Sequence, residues 1–495
     1  MKKHIISLHP LGKELKVNDQ TPLIDVLHEF GVEFPCGGKG TCGKCRVRLL
    51  NGELNVTKDQ QKKLDQLGLD SDWRLACYSK CTSDITLEIE QFKHLILADE
   101  TEFFFVPGKG FAIAVDLGTT TIVAQLIDLS TAQVMAVETM VNPQVRFGAD
   151  LISRIQACLE GSASEMTRII RAAIGMMITL MLKKHDVELE EVILVGNTVM
   201  QLIFSNCDVS PLAAYPFHST NLGMKILTTT ELNWKFKVNK RIKFYPSIGS
   251  FVGSDILAGI VATGLHLKEE YTALIDLGTN GEIVIGNKQR IVCASTAAGP
   301  AFEGANISMG MRAVTGAISS LKQADGQLKA NVIGNTIAKG ICGSALIDAV
   351  AILRKLDQLG MFGEINSGEP DILLSGKVRL TQQDINEFQL AKAAIAAGLF
   401  ILAKDLEIEL SHISELYIAG GFGNYINIDH VVETGMIELS PKKIHKMGNT
   451  ALIGAKMFLF SDLSTIDEIL KKATLVNLEA DRSFQDIYVD KMLFL

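Results

Sequence analysis

The most constraining feature of this sequence is an internal echo. Ile113-Ala114-Val115-Asp116-Leu117-Gly118-Thr119-Thr120-Thr121 returns as Leu274-Ile275-Asp276-Leu277-Gly278-Thr279-Asn280-Gly281-Glu282, with Asp276 standing 160 residues after Asp116. Each copy runs on into a second apolar segment, Ile122–Ile127 and Ile283–Ile285. Each therefore reads as strand, tight glycine turn, strand. Two such hairpins a domain apart predict a duplicated fold with two facing lobes, because a solenoid would repeat every 20–50 residues or so. From Phe111 onward, strand-like apolar runs alternate with long helical patterns, the signature of α/β architecture. A chain of 495 residues has room for this and more, at ~100–200 residues per domain.

An Asp-Leu-Gly-Thr turn has a definite chemistry. Its backbone N–H groups and hydroxyls suit phosphate oxygens, and the aspartate suits Mg²⁺ held through water, since Mg²⁺ dehydrates reluctantly. Two turns facing one another would grip phosphates from both sides. A third element, Leu416-Tyr417-Ile418-Ala419-Gly420-Gly421-Phe422-Gly423-Asn424, reads as a buried strand entering a glycine turn, where an adenosine could lie against bare backbone. Asn449-Thr450-Ala451-Leu452-Ile453-Gly454-Ala455 opens a helix whose small residues permit close packing between lobes. Asp255 has two readings, a cleft residue or a helix N-cap. Val199-Met200 and Gly310-Met311 read as core, and His218 and His430 have no partner at metal-ligand spacing. Taken singly, glycine turns between buried strands are common and carry no function; the ordered set is what matters.

That set resembles the ASKHA superfamily of acetate and sugar kinases, heat-shock chaperones and actin, over residues 111–495. The resemblance implies a first lobe at 111–270 and a second at 271–495. It makes Asp116, Gly118, Thr119, Thr120 and Thr121 the first phosphate motif and Asp276, Gly278, Thr279 and Asn280 the second. Gly420, Gly421 and Gly423 become the adenosine motif, and Val195–Thr198 and Gly448–Ala455 the two connecting motifs. ATP and Mg²⁺ are then the expected ligands. Asp116 would help hold the Mg²⁺ shell and Asp276 would position or polarise the attacking water, although the two roles can be exchanged on sequence grounds.

The first 92 residues have another style. Ile5–Leu8 and Glu14–Val17 predict a hairpin about Pro10-Leu11-Gly12. Thr21-Pro22 reads as the start of a helix carrying Leu23, Val26, Leu27 and Phe30. Arg46–Leu50 and Ile85–Ile89 read as strands. Between them lies Pro35-Cys36-Gly37-Gly38-Lys39-Gly40-Thr41-Cys42-Gly43-Lys44-Cys45, followed by Cys77. Three thiolates on one glycine-rich loop and a fourth far along the chain suit an iron–sulfur cluster, with backbone N–H groups free to point at the sulfides. Zinc is the rival for four thiolates, but its ribbons normally carry two C-x₂-C knuckles and one is present here. Cys81 is an alternative fourth ligand; a small apolar residue is its plainer reading. The segment resembles the plant- and adrenodoxin-type [2Fe–2S] ferredoxins, which implies a β-grasp fold over residues 1–92 with Cys36, Cys42, Cys45 and Cys77 as ligands. Residues 93–110, ending in Pro107-Gly108-Lys109-Gly110, read as a linker.

Composition removes competing classes. A formal charge of −8 and 6% aromatic residues argue against a partner bound through nucleic-acid phosphates or stacked bases. The longest apolar stretch, near Phe388–Leu406, is interrupted by Lys392 and Lys404 and gives no spanning segment. Five of nine cysteines cluster between Cys36 and Cys81, unlike an evenly stapled secreted domain. The amino-terminal apolar segment is too short for a secretory signal, so a cytoplasmic location is expected.

A ferredoxin domain joined to an ASKHA domain resembles the reductive activators of corrinoid enzymes. The resemblance implies that ATP turnover drives one electron from the cluster to Co(II), restoring Co(I) in the corrinoid protein of a methyltransferase system, with a low-potential donor upstream. Asp116 stands only six residues past Gly110, and the chain is short for this family, which points to a reduced intervening segment. Two alternatives remain open: an activator of another low-potential metalloenzyme, and a redox-sensing nucleotide switch. The first would carry its cluster cysteines inside the ATPase domain, where Cys158, Cys207, Cys293 and Cys342 are scattered.

Overall fold

The computed structural model describes residues 2–9, 13–27, 30, 32, 38–41, 43, 45–89, 103–278, 280–312, 316–324, 327–333, 336–420 and 426–494. The amino-terminal domain is a five-stranded sheet wrapped on two helices. Its elements are β1 (Lys3–His9), β2 (Lys13–Asn18), α1 (Ile24–Leu27), β3 (Arg46–Asn51), α2 (Lys58–Gln66), β4 (Trp73–Leu75) and β5 (Ile85–Glu88), in sheet order β2-β1-β5-β3-β4. Strands β1 and β5 run parallel while the hairpin partners run antiparallel, which is the β-grasp arrangement. Alternation along β1 sends Ile6 and Leu8 into a core with Leu27, Val47, Leu75 and Leu87. The expected helix start is corrected: Thr21–Pro22 pair as a short antiparallel strand with Lys80–Cys81. The fixed φ of Pro22 suits an edge strand as well as a first helical turn. Helix α2, capped by Thr57, has a mostly polar sequence and was not foreseen.

The echo becomes two six-stranded sheets that share the order of five strands and carry the sixth at opposite edges. In the first lobe β6 (Phe111–Leu117), β7 (Thr121–Asp128) and β8 (Val134–Val141) form consecutive hairpins. Strand β9 (Leu189–Gly196) then joins β6 in parallel, followed by β10 (Lys225–Leu227) and β11 (Ile242–Phe244), in order β8-β7-β6-β9-β11-β10. In the second lobe β12 (Thr272–Leu277), β13 (Gly281–Gly286) and β14 (Ile291–Thr296) repeat the hairpins. There β15 (Glu415–Ala419) joins β12 in parallel, with β16 (Ile444–Gly448) and β17 (Ala473–Leu475) completing the order β16-β15-β12-β13-β14-β17. The period of two in a strand then sorts the side chains. Ile113, Val115 and Leu117 enter the first lobe's core, and Ala273, Ile275 and Leu277 enter the second's. Ala114 and Leu274 face the other way, into a third cluster shared between the lobes. The next residues on that shared face are Asp116 and Asp276.

Helices α6 (Ser254–Ala262) and α10 (Thr450–Phe458) cross within the shared cluster. They approach so closely that a Cβ added to Gly454 would lie 2.0 Å from the Ala258 carbonyl oxygen. Tyr245 stacks on Phe458 with ring centroids 4.4 Å apart. The apolar stretch around Lys392 is helix α8 (Gln382–Asp405), the one helix among the described residues long and apolar enough to cross a membrane. It is the central core helix of the second lobe, and Lys392, 1% exposed, donates to the Leu493 carbonyl at 2.6 Å.

Candidate functional site

The first turn is bolted from beneath. Asn142 donates from its side chain to the Gly118 carbonyl at 2.9 Å and from its backbone to the Thr120 carbonyl at 2.8 Å. Arg154, on helix α3 (Leu151–Ala157), is fully buried and donates to the carbonyls of Thr119 and Gly148 and to Gln144 Oε1. Burial pulls its guanidinium down to about 9, so it stays charged at neutral pH. With the carbonyls held inward, the turn is left presenting N–H groups and the partly exposed Thr119, Thr120 and Thr121 to the cleft.

The second turn is one residue shorter, since Leu277 pairs with Gly281 where Leu117 pairs with Ile122. Thr279 lies outside the described residues; Gly278 donates to the Asn280 carbonyl at 3.1 Å and closes the hairpin. Gly420 sits against this turn. Its φ is +92°, and an added Cβ would lie 2.6 Å from the Leu277 carbonyl and 2.9 Å from Asp276 Oδ1. The third motif is thus brought to the second phosphate motif by the pairing of Ala419 with Asp276. Gly421 and Gly423 lie outside the described residues.

Four carboxyl groups concentrate where the two turns meet. Asp116 accepts from the Asn449 amide at 2.7 Å, yet burial still pushes it up to about 6. Burial and the charge of Asp116 push Asp276 up to about 7. Asp255 is raised to about 8 by burial and by Asp276 and Asp116. Glu282, opposite Asp276 in the β12–β13 register and 8% exposed, is raised well above the carboxylate range by burial and then by Asp255 and Asp276. Asp255 is not an N-cap: Gly253 holds that position, and Asp255 is in the first turn of α6. These groups lie within electrostatic reach of one another. Among the described residues, however, no three His, Cys, Asp or Glu side chains are placed to hold a metal ion. A cation there would draw on phosphate and water oxygens as well.

Sequence reasoning gave no site role to Arg154 or Asn142, and named Asn449 and Glu282 only as members of a connecting motif and of the echo. Glu282 carried a usable signal, a second acid within the echoed motif. The others carried none, because their partners lie far along the chain or are backbone atoms.

In the amino-terminal domain Cys45 and Cys77 face each other with sulfurs 3.2 Å apart. The Ala76 N–H donates to the Cys45 carbonyl at 2.8 Å. Gly40, with φ of +75°, lies against Tyr78 so closely that a Cβ would meet the ring oxygen at 2.3 Å. Gly38, Gly40 and Gly43 all have positive φ and close neighbours, so at these positions the loop favours glycine. Cys36 and Cys42 lie outside the described residues. Cys81 is fully buried, and its thiol donates to the Ser83 carbonyl at 3.3 Å. Burial raises it, which disfavours the thiolate a ligand needs.

Comparison with known proteins follows these parts in order. Residues 6–82 match the 2Fe-2S iron-sulfur cluster binding domain, residues 111–268 the RACo middle region, and residues 270–495 the C-terminal domain of RACo, the ASKHA domain. The chain is 28% identical to the corrinoid activation enzyme RamQ of Eubacterium limosum, covering 98% of both chains. That alignment runs over 586 positions, more than the 495 residues present here, so the relative carries segments this chain lacks. It is 27% identical to the [Co(II) methylated amine-specific corrinoid protein] reductase of Methanosarcina barkeri, over 78% of this chain and 77% of that one. A solved reductive activator for corrinoid,iron-sulfur protein superposes with a TM-score of 0.69 at 28% identity, over 99% of this chain and 98% of the other. With its ferredoxin, middle and ASKHA regions in that order along nearly the whole chain, the protein belongs to the family of reductive activators of corrinoid proteins.

Proposed function

We propose that this chain is an ATP-dependent reductive activator. In this reading residues 1–92 hold a [2Fe–2S] cluster on Cys36, Cys42, Cys45 and Cys77, residues 93–110 tether it, and lobes 111–270 and 271–495 bind Mg·ATP between them. The observation that carries the reading is the meeting of two phosphate turns and Gly420 in one acid-lined cleft beside the crossing helices α6 and α10.

The cluster, when bound, supplies one electron at a time. The ATPase residues divide the remaining work. The N–H groups and threonine hydroxyls of Gly118–Thr121 receive phosphate oxygens, kept in place by Asn142 and Arg154. Asp116, one oxygen already steadied by Asn449, would help hold the water shell of Mg²⁺. Asp276, raised to about 7, is poised near neutrality to orient the attacking water and accept its proton. Thr279 and Asn280 of the second turn, and Gly420, Gly421 and Gly423, complete the nucleotide's surroundings.

The substrate is the Co(II) corrinoid protein of a methyltransferase system, which gains the electron and becomes Co(I); a low-potential donor re-reduces the cluster. Moving one electron ~100 mV uphill costs about 2.3 kcal/mol, within reach of a nucleotide that binds differently to open and closed lobes. A cytoplasmic setting belongs to this reading, because thiol ligands need a reducing compartment.

The test is a spectroscopic assay of Co(I) formation with the iron-loaded protein, a Co(II) corrinoid protein, a low-potential reductant and ATP. Co(I) should accumulate only when nucleotide is present. Equal rates without nucleotide would overturn the ATP coupling, and recovery of zinc without iron would overturn the redox role. Cys77→Ser should abolish the [2Fe–2S] spectrum while leaving nucleotide binding intact.

A further inference from the structure

We propose that helix α10 transmits the state of the nucleotide cleft to the tether of the ferredoxin domain. Asn449 would grip Asp116 at one end of the helix, and the other end would seat Phe103 and Phe105. The inference rests on the nucleotide reading above and adds a mechanical route to it.

Asn449 is used twice. Its Oδ1 accepts from the Leu452 N–H at 2.8 Å as the N-cap of α10, and its Nδ2 donates to Asp116 Oδ2 at 2.7 Å. The first contact fastens the residue to a helix contributed by the second half of the chain. The second fastens it to the last cleft-facing residue of β6 in the first lobe. A phosphate-bound cation that draws on Asp116 must therefore act on the helix cap as well. The helix between is short and stiff, about 14 Å at 1.5 Å per residue, and Gly454 abuts the Ala258 carbonyl.

At the far end the tether is clasped. Phe460, two residues past α10, has ring centroids 5.0 Å from Phe105 and 5.6 Å from Phe103. The ammonium of Lys456, 2% exposed, lies 5.4 Å over the Phe103 ring. Phe104 and Val106 point into solvent, so the segment runs extended with alternate residues facing the helix end. The ferredoxin domain precedes this clasp along the chain, so a shift of Phe460 changes how that domain is held.

Polar groups are also buried at the α10 interface. Gln125 is fully buried on β7, and among the described residues neither atom of its amide has a hydrogen-bond partner; the Thr450 hydroxyl at the start of α10 is also without one there. Gln125 pairs across the hairpin with Ala114, which lies in the apolar cluster that contains Ala451, Ala455 and Phe458. Polar groups left without partners are costly where they are buried, which would favour any movement of α10 that gives them one.

The experiment follows hydrogen exchange of residues 103–110 in the full-length, iron-loaded protein, with and without a Mg²⁺-bound non-hydrolysable ATP analogue. The exchange rate should change by about five- to tenfold on analogue binding. Asn449→Ser, which keeps a capping oxygen but loses the amide donor, should erase that response. Phe460→Ala should also erase it, while basal ATP hydrolysis stays within about twofold of the wild type. The double variant Phe103→Leu, Phe105→Leu carries the same expectation and leaves the ATPase lobes untouched. Bound analogue with unchanged exchange in the wild type would overturn the proposal, as would a full response in either the Phe460 or the double tether variant. Failure of the analogue to bind would instead overturn the nucleotide reading itself.

Discussion

The two phosphate turns share a strand-turn-strand frame and differ in what the frame carries. The first is a cradle: four residues long, rich in hydroxyls, its carbonyls pulled inward by Arg154 and Asn142. Opposite Asp116 across the hairpin stands Val123. The second is three residues long, and opposite Asp276 stands Glu282. Carboxyls directly opposed in a sheet resist ionising together, so the second lobe bears a cost at Asp276 and Glu282 that is larger than the first lobe bears at Asp116 alone. The duplication thus supplied two equivalent positions that now differ in what surrounds them; in the reading proposed above, one serves phosphate binding and the other proton handling.

The harshest way to break this division is to neutralise its acidic half. Asp276→Asn should lower ATP hydrolysis by roughly 10²–10⁴-fold, the usual contribution of a general base, with nucleotide affinity and the [2Fe–2S] spectrum retained. Steady-state phosphate release and nucleotide titration measure the two separately. If affinity fell together with the rate, Asp276 would belong to the binding cradle and the contrast would dissolve. Attacking the cradle half should do the reverse. Arg154→Ala strands the Thr119 and Gly148 carbonyls and Gln144 Oε1 in a buried site. That should cost ~3–5 kcal/mol of stability in a denaturant titration, with nucleotide affinity weakened in whatever folded protein remains.

A middle-sized effect tests the contact that ties the third motif to the second turn. Gly420→Ala places a Cβ against the Leu277 carbonyl at a positive φ. Neither can yield cheaply, because the carbonyl is backbone and the conformation disfavours any side chain. A loss of ~2–3 kcal/mol is expected, with weakened adenosine binding. A neutral outcome would mean that the second turn is looser than the first.

Much of this was legible in the sequence for identifiable reasons. The β-grasp, the two hairpins and the glycine strand at Leu416–Ala419 announce themselves through alternation and glycine placement, which are local. The corrections are local ambiguities: Pro22 fits an edge strand as well as a helix start, and Asp255, the second residue of α6, looks like a cap until Gly253 is seen to hold that place. What no local pattern could reveal is long-range pairing. Asn449 reads in sequence only as the opening of a helix, and its other bond is to a residue 333 positions away. Arg154 stands in no motif, yet it is fully buried beneath a turn. Cys45 and Cys77 were legible because thiolate chemistry is rare enough to be read at a distance.

The finest contrast between the turns is in how stability depends on pH. In metal- and nucleotide-free protein, Asp116 is raised to about 6 and Asp276 to about 7, against an unfolded value near ~4. A carboxyl whose folded value is raised leaves stability whole below the unfolded value and erodes it as pH climbs through the folded one. Wild-type protein should therefore lose stability between about pH 4 and pH 8. Asp276→Asn should relieve that loss, by ~1–2 kcal/mol at pH 8 once discounted for the half-open cleft, and should change little at pH 4. Asp116→Asn should gain less, for two reasons. Its shift is smaller, and the exchange replaces a charged acceptor for the Asn449 amide with a neutral one. Thermal melts of the three proteins at pH 4 and pH 8 give the comparison directly. Equal gains at the two positions would show that both aspartates bear the same electrostatic load, and the asymmetry would then rest on Glu282 and the threonines alone.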